Sequence, residues 1–235
     1  MGARMLNGAF EADGETLAYT HYVPSREPRE IALSLHGAGP AGRERIRYLA
    51  EHLAAGGSSL FCFDFSGHGE SSGQLRDSSL SRRSLQVEAA LELLARKPTV
   101  LIGTSMGGHV ASSLLAAMEP KFLILFCPAL YGDDSFALPF DERFSAAIRR
   151  PSSFEASSLR ADLARYRGKS LLIVGADDRI IPPRVIDIYG EELGKEGQFK
   201  LLRLPGAPHN IHGWALQDPA NKTAILEAVD GLLCG

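Results

Sequence analysis

Val100-Leu101-Ile102-Gly103-Thr104-Ser105-Met106-Gly107-Gly108-His109-Val110-Ala111 constrains this chain more than any other stretch. A short apolar run stops at Gly103, a serine follows two residues later, and two glycines lead into Val110, Ala111 and Leu114 at helical spacing. The pattern predicts a strand, one sharp turn and a helix. Ser105 falls on the turn, inside G-x-S-x-G. A residue at such a turn is forced into a strained conformation, and a Cβ at Gly103 or Gly107 would meet the facing backbone. The serine hydroxyl then stands clear of the sheet. Amides of the first helical turn lie free beside it and carry partial positive charge, which suits a developing oxyanion. A Gly-rich strand-to-helix turn can also cradle a phosphate, so the pentapeptide alone leaves both readings open.

The rest of the chain repeats the same rhythm. Gly8–Phe10 and Leu17–Tyr22 predict a hairpin around Asp13-Gly14. Ile31–His36 predicts the first strongly buried strand, and it ends in Gly37-Ala38-Gly39-Pro40. A helix is expected over about Arg43–Ala55, a strand over Ser59–Phe63, and a helix over Ser84–Ala95. After the Ser105 turn the helix should run to about Met118, followed by a strand at Phe122–Phe126. Gly132–Gly168 breaks the rhythm, with Phe136, Leu138, Phe140, Phe144 and Phe154 set among prolines, serines and arginines. One or two short helices are expected there. Then come a strand at Ser170–Val174, a helix at Pro183–Leu193, a strand at Phe199–Leu204 and a helix at Pro219–Leu233. Strands alternating with helices imply an α/β fold: one domain over residues 1–235, an eight-stranded, mostly parallel sheet with helices on both faces, and a small helical insertion at 133–168. Sites in such sheets lie beyond the carboxyl ends of the strands, where His36-Gly37, Asp64, Ser105, Asp178 and His209 all fall.

Composition removes several classes of function. A net charge of -3 over 235 residues offers no basic stripe to nucleic acid or anionic lipid. No apolar run approaches the roughly 20 residues that cross a bilayer. Met1–Asn7 lacks an apolar core of secretory type. The three cysteines are an odd number, with Cys62 and Cys127 in expected strands, so reduced structural thiols in a cytoplasmic protein are expected. No Cys/His spacing suggests a metal site, and no cofactor is called for.

A serine hydroxyl is a poor nucleophile without a base and an orienting acid. Val174-Gly175-Ala176-Asp177-Asp178-Arg179-Ile180-Ile181-Pro182 offers the acid and Leu204-Pro205-Gly206-Ala207-Pro208-His209-Asn210 the base, each just past an expected strand. Asp177, Asp133 and Asp134 compete with Asp178, and His212 competes with His209. With these segments in view, the chain resembles the α/β-hydrolase superfamily over nearly its whole length. His36-Gly37-Ala38-Gly39 is similar to that family's oxyanion loop, and Asp64-Phe65-Ser66-Gly67-His68-Gly69-Glu70-Ser71 to its D-x-x-G-x-G-x-S loop. Gly103–Gly107 matches its elbow, Gly175–Pro182 resembles G-x-x-D-x-x-[VI]-P, and Pro205–His209 its closing histidine segment.

The resemblance implies Ser105 as nucleophile, His209 as base, Asp178 as acid, and the Ala38 and Met106 amides as the oxyanion hole. It implies a serine hydrolase that cleaves a small-to-medium acyl ester or thioester through an acyl-enzyme, with a small-molecule acyl substrate and no cofactor or metal. A peptidase or amidase of the same fold, and a non-catalytic binding protein with a hydrolase pocket, are the alternatives. His36 is expected to bond backbone, and His68 and His109 to sit in a loop and at a helix start, with His109 able to touch substrate. Asp64 should brace its loop. Arg43, Arg45 and Arg47 read as a solvated helix face rather than an anion clamp. The Phe136–Phe154 aromatics fit either the insertion's own core or a substrate-facing lid. A homodimer through the terminal helices or the insertion is left open.

Overall fold

Uninterrupted burial in short runs defines the middle of the structure. The computed structural model describes residues 4–40 and 42–234, so Met1, Gly2 and Ala3 of the amino-terminal stretch lie outside the described residues. The strands are β1 (Arg4–Ala12), β2 (Glu15–Val23), β3 (Ile31–Leu35), β4 (Ser59–Phe63), β5 (Val100–Thr104), β6 (Phe122–Phe126), β7 (Lys169–Gly175) and β8 (Gln198–Leu204). Every residue of β3, β4 and β6 is buried. Strands covered on both faces read as continuous apolar runs rather than as alternation, which is why these were visible in the sequence. β1 and β8 are the edges, and both are largely exposed.

The strand order is β1-β2-β4-β3-β5-β6-β7-β8. β1 pairs antiparallel with β2, and β2 antiparallel with β4; all other pairings are parallel. The chain leaves β3 toward β4 on one side, then returns to place β5 on the other. That reversal opens a crevice beyond the carboxyl ends of β3 and β5, so Leu35-His36 and Thr104-Ser105 face one another across it.

The helices are α1 (Arg47–Ala55), α2 (Leu80–Leu94), α3 (Met106–Ser113), α4 (Leu115–Met118), α5 (Glu142–Ile148), α6 (Leu159–Arg165), α7 (Pro183–Leu193), α8 (Ile211–Ala215) and α9 (Pro219–Leu233). α1 packs on β2 and β4 and α9 on β6 and β7, and His52 joins these two helices by bonding Asp230 at 2.9 Å. α2, α3, α6 and α7 pack in succession and form the other layer.

Several boundaries depart from the sequence reading. The opening hairpin strands are longer than expected, running over the full lengths of β1 and β2 and turning through Asp13 and Gly14, both in the left-handed region. The helix expected from Arg43 starts as a 3-10 turn, Arg43–Ile46, before α1. α2 begins at Leu80, four residues before the expected Ser84, because the Ser79 hydroxyl caps it by accepting from the Arg82 amide at 3.1 Å. The helix after Ser105 breaks between α3 and α4. Cys127 is not in a strand: it follows β6 with φ of 42°. α8 was not foreseen. Residues 133–168 hold α5 and α6 with 3-10 turns at Asp133–Ser135 and Ser153–Ala156.

The Ser105 turn depends on two absent side chains. A Cβ on Gly103 would come 2.6 Å from the Gly107 carbonyl oxygen, and one on Gly107 would come 2.1 Å from the Leu35 carbonyl oxygen. Both contacts are with backbone, which cannot swing aside. Gly107→Ala should therefore cost about 3 kcal/mol through overpacking, which lowers the thermal midpoint by roughly 5–10 °C. An unchanged midpoint in a thermal melt would contradict the close approach of α3 to β3.

Candidate active site

Ser105 holds φ of 53° and ψ of -119°. That conformation is costly for a residue with a Cβ, and the surroundings fix it. The Ser105 amide donates to the Phe126 carbonyl at 2.9 Å, while its carbonyl accepts from the Gly108 amide at 2.8 Å and the Ala129 amide at 3.0 Å. The side chain points from the β5–α3 junction into the crevice. There the His209 Nε2 meets Ser105 Oγ at 3.0 Å, and the His209 Nδ1 meets Asp178 Oδ2 at 2.8 Å.

The direction of these bonds follows from the partners. A carboxylate only accepts, so the Nδ1 proton of His209 goes to Asp178. Nε2 is then the bare nitrogen and accepts the Ser105 hydroxyl proton. Asp178 is held by more than the histidine: its Oδ1 accepts from the Ile180 amide at 2.8 Å and the Ile181 amide at 3.2 Å. Burial alone would raise its pKa, but the bonds from His209 and these amides bring it below the ordinary carboxylate range. Asp178 comes from the loop after β7 and His209 from the loop after β8, so the carboxyl ends of three parallel strands, β5, β7 and β8, supply one hydrogen-bonded chain across β6.

The competing residues are engaged elsewhere. The side chain of Asp177 is exposed, and its amide donates to Ala207. Asp133 accepts from the Ser158 amide at 2.9 Å and hydroxyl at 3.0 Å, and Asp134 pairs with Arg150. His212 is buried, bonded to Thr104 Oγ1 at 2.8 Å and Tyr48 at 3.1 Å. His36 accepts the Phe65 amide at 2.9 Å on Nε2 and donates from Nδ1 to the Gly37 carbonyl at 2.7 Å, a backbone-bonding role. His68 packs its ring 4.6 Å from that of His36. His109 accepts the Tyr131 amide at 3.3 Å.

The loop Gly37–Pro40 runs beside Ser105: a Cβ on Gly37 would come 3.1 Å from the serine Cβ. Two buried cations steady this side of the crevice. Arg43 is not on a solvated face, contrary to the sequence reading. It is buried, pairs with Asp64 and Glu70, and its amide donates to Asp64 Oδ1 at 2.6 Å. Asp64 also accepts from the Glu70 amide at 3.1 Å, which closes its own loop. Arg83, on α2, is 0% exposed and has no carboxylate partner among the described residues. It donates to the His36 carbonyl at 3.3 Å and the Gly37 carbonyl at 3.4 Å, and its guanidinium lies 4.3 Å over the Phe65 ring. Burial lowers its pKa to about 9. Nothing in the polar start of α2 marked Arg83 as buried.

Cys127, read from the sequence as a structural thiol in a strand, lies instead beside the site. Its position just past β6, between the ends of β5 and β7, was the available signal. Its sulfur and the donor atoms of Asp178 and His209 lie within 4.8 Å of one another. Burial pushes the thiol up to about 12, so it is protonated, and Asp178 and His209 already bond each other.

A cavity of about 340 Å³ opens at Ser105 and is walled by His36, Gly37, Gly39, His209 and Asn210. A second, of about 290 Å³, lies between α3 and the segment after β6, lined by His109, Tyr131, Phe136 and Leu159. Among the described residues, no helix is long and apolar enough to cross a membrane.

Residues 26–155, just over half of the 235-residue chain, match the family model described as "Serine aminopeptidase, S33". The chain is 38% identical over 138 residues to monoacylglycerol lipase ABHD6 of Mus musculus, covering 52% of this chain and 38% of that protein. It is 35% identical over 146 residues to protein phosphatase methylesterase 1 of Candida albicans, covering 59% of this chain and 39% of that one. The match thus spans about two fifths of the length of these curated relatives. Among solved structures, a CIB-like hydrolase from Thermoplasma acidophilum superimposes with a TM-score of 0.72 at 17% identity, covering 98% of this chain and 100% of that chain.

The histidines that surround the chain Ser105–His209–Asp178 are held neutral. Burial lowers His109 to about 4; burial and the nearby charge of Arg45 lower His212 to about 3. Their folded pKa values lie below the ordinary histidine value near 6.5, so the unfolded chain binds more protons between the two. Their contribution to stability is present above about pH 6.5 and is lost as pH falls toward the folded values. Stability should therefore decline from pH 6.5 to 4. His212→Gln should flatten that slope by about 1 kcal/mol per pH unit. Denaturant titrations across this range check it, and an unaltered slope would contradict a neutral, buried His212.

Proposed function

The chain belongs to the α/β-hydrolase superfamily, and from that premise we propose that it is a serine hydrolase acting on small-to-medium acyl esters or thioesters. The observation that carries the reading is the hydrogen-bonded chain from Asp178 through His209 to Ser105, seated on a strained turn beside a cavity. Ser105 Oγ attacks the substrate carbonyl while His209 Nε2 takes its proton. Asp178 fixes the tautomer and stabilises the imidazolium that forms. The amides of Ala38 and Met106 hold the oxyanion: Met106 is the first residue of α3, and Ala38 follows the Gly37 that touches Ser105. The tetrahedral intermediate collapses, His209 gives its proton to the leaving group, and an acyl-enzyme remains. Water, activated by His209, releases the acid. No step calls for a metal or an organic cofactor.

The second cavity is the place we assign to the acyl chain. Tyr131, Phe136 and Leu159 give it an apolar lining, and the latter two come from the inserted segment, which would act there as a small lid. The relatives named as a lipase and a methylesterase favour ester cleavage, whereas the family description favours an aminoacyl amide.

Matched ester, thioester and aminoacyl-amide substrates separate these readings. Turnover should favour the ester or thioester. Ser105→Ala should lose about a thousandfold or more, and Asp178→Asn at least about a hundredfold in kcat. Preferential amide cleavage would overturn the esterase reading, and full turnover by Ser105→Ala would overturn the nucleophile.

A further inference from the structure

Three arginines two residues apart, Arg43, Arg45 and Arg47, have three different fates. Arg43 is buried and neutralised by Asp64 and Glu70. Arg47 faces outward and pairs with Glu51 at 2.7 Å. Arg45 is half-buried and lines the cavity that opens at Ser105. Its Nη1 donates to the neutral amide oxygen of Asn210 at 2.6 Å, and it has no carboxylate partner among the described residues. No described carboxylate lines that cavity either. A guanidinium facing a cavity with its charge uncompensated is a ready partner for a carboxylate or phosphate.

The chemistry decides which part of a substrate meets it. In ester cleavage the bond to Ser105 Oγ forms first, and the bond from the acyl carbon to the leaving oxygen breaks when the tetrahedral intermediate collapses. The leaving oxygen must then receive the proton that His209 Nε2 took from the serine. The leaving group therefore lies on the His209 side of Ser105. That side is the cavity walled by His209 and Asn210, and Arg45 stands at Asn210. The second cavity has neither Ser105 nor His209 in its wall, so a leaving oxygen there could not meet His209. At about 340 Å³ the first cavity has room for a small alcohol and an attached anion.

We propose that the leaving group of the physiological substrate is an alcohol or thiol carrying a carboxylate or phosphate, and that Arg45 binds that anion. The inference rests on the ester-hydrolase reading above. The released product is then a small anionic alcohol or thiol, while the acyl group leaves separately as the acid after water attacks the acyl-enzyme.

Two butyryl esters of near-identical shape test this: 3-(butyryloxy)benzoate, whose leaving group is anionic, and 3-(butyryloxy)benzamide, whose leaving group is neutral. Wild type should prefer the anionic ester in kcat/KM by about tenfold or more, mainly through KM. Arg45→Gln should bring the ratio of the two esters close to one, Arg45→Lys should restore part of it, and Arg47→Gln should keep the wild-type ratio. A wild-type ratio near one, or a ratio unmoved in a folded Arg45→Gln, overturns the inference while leaving the hydrolase reading intact. No turnover of either ester by wild type overturns that reading and the inference with it.

Discussion

The approach of α3 to the end of β3 is the constraint on which the site depends. The Gly107 Cα sits where any Cβ would strike the Leu35 carbonyl oxygen. That contact sets the depth of the turn and holds Ser105 at φ of 53°. It also brings two loops together that are distant in sequence. The carboxyl end of β3 supplies the Gly37–Pro40 loop, and the carboxyl end of β5 supplies Ser105, because β3 and β5 are paired neighbours at the point where strand order reverses. His209 and Asp178 then arrive from the ends of β8 and β7. The sheet is the instrument that aligns them; the loops add only the last few residues.

Charge around the crevice is arranged with unequal compensation. Asp64 and Glu70 neutralise Arg43, and the same Asp64 closes its own loop through the Glu70 amide. Arg83 has no such partner: it donates to two carbonyls and lies over an aromatic face, which ties α2 to the loop after β3, while its Nε has no hydrogen-bond partner among the described residues. Breaking the Arg43–Asp64 pair would leave a buried charge, which is costlier than losing the pair as a whole. Arg45 alone keeps its charge turned toward the cavity. The buried histidines cannot share that role, since burial keeps them neutral near pH 7.

Much of this was legible in the sequence, and the reasons are physical. The central strands announced themselves because burial on both faces demands continuous apolar runs, as in Phe122–Phe126. Ser105 and Asp178 were legible because each follows such a run within a few residues, whereas His209 follows the largely exposed edge strand β8 and was legible through its Pro205–His209 segment. Edge elements were harder: β1 reaches from Arg4 to Ala12 although most of it is exposed, so no apolar pattern marks it. α8 escaped because it spans only five residues, Ile211–Ala215, too few to show a helical apolar period, although its start carries a local Asn210 cap that accepts from the Gly213 amide at 3.2 Å. The different fates of Arg43 and Arg45 were equally hidden. Both look like solvated helix residues until Asp64, twenty-one positions away, is folded onto one of them.

The central claim is that Ser105 is an activated nucleophile. Intact-mass spectrometry after exposure to a fluorophosphonate tests it most directly, with Ser105→Ala and His209→Ala alongside. A single adduct is expected on the wild type, none on Ser105→Ala and slow labelling of His209→Ala. An unlabelled wild type, at a concentration that saturates an active serine hydrolase, would contradict it.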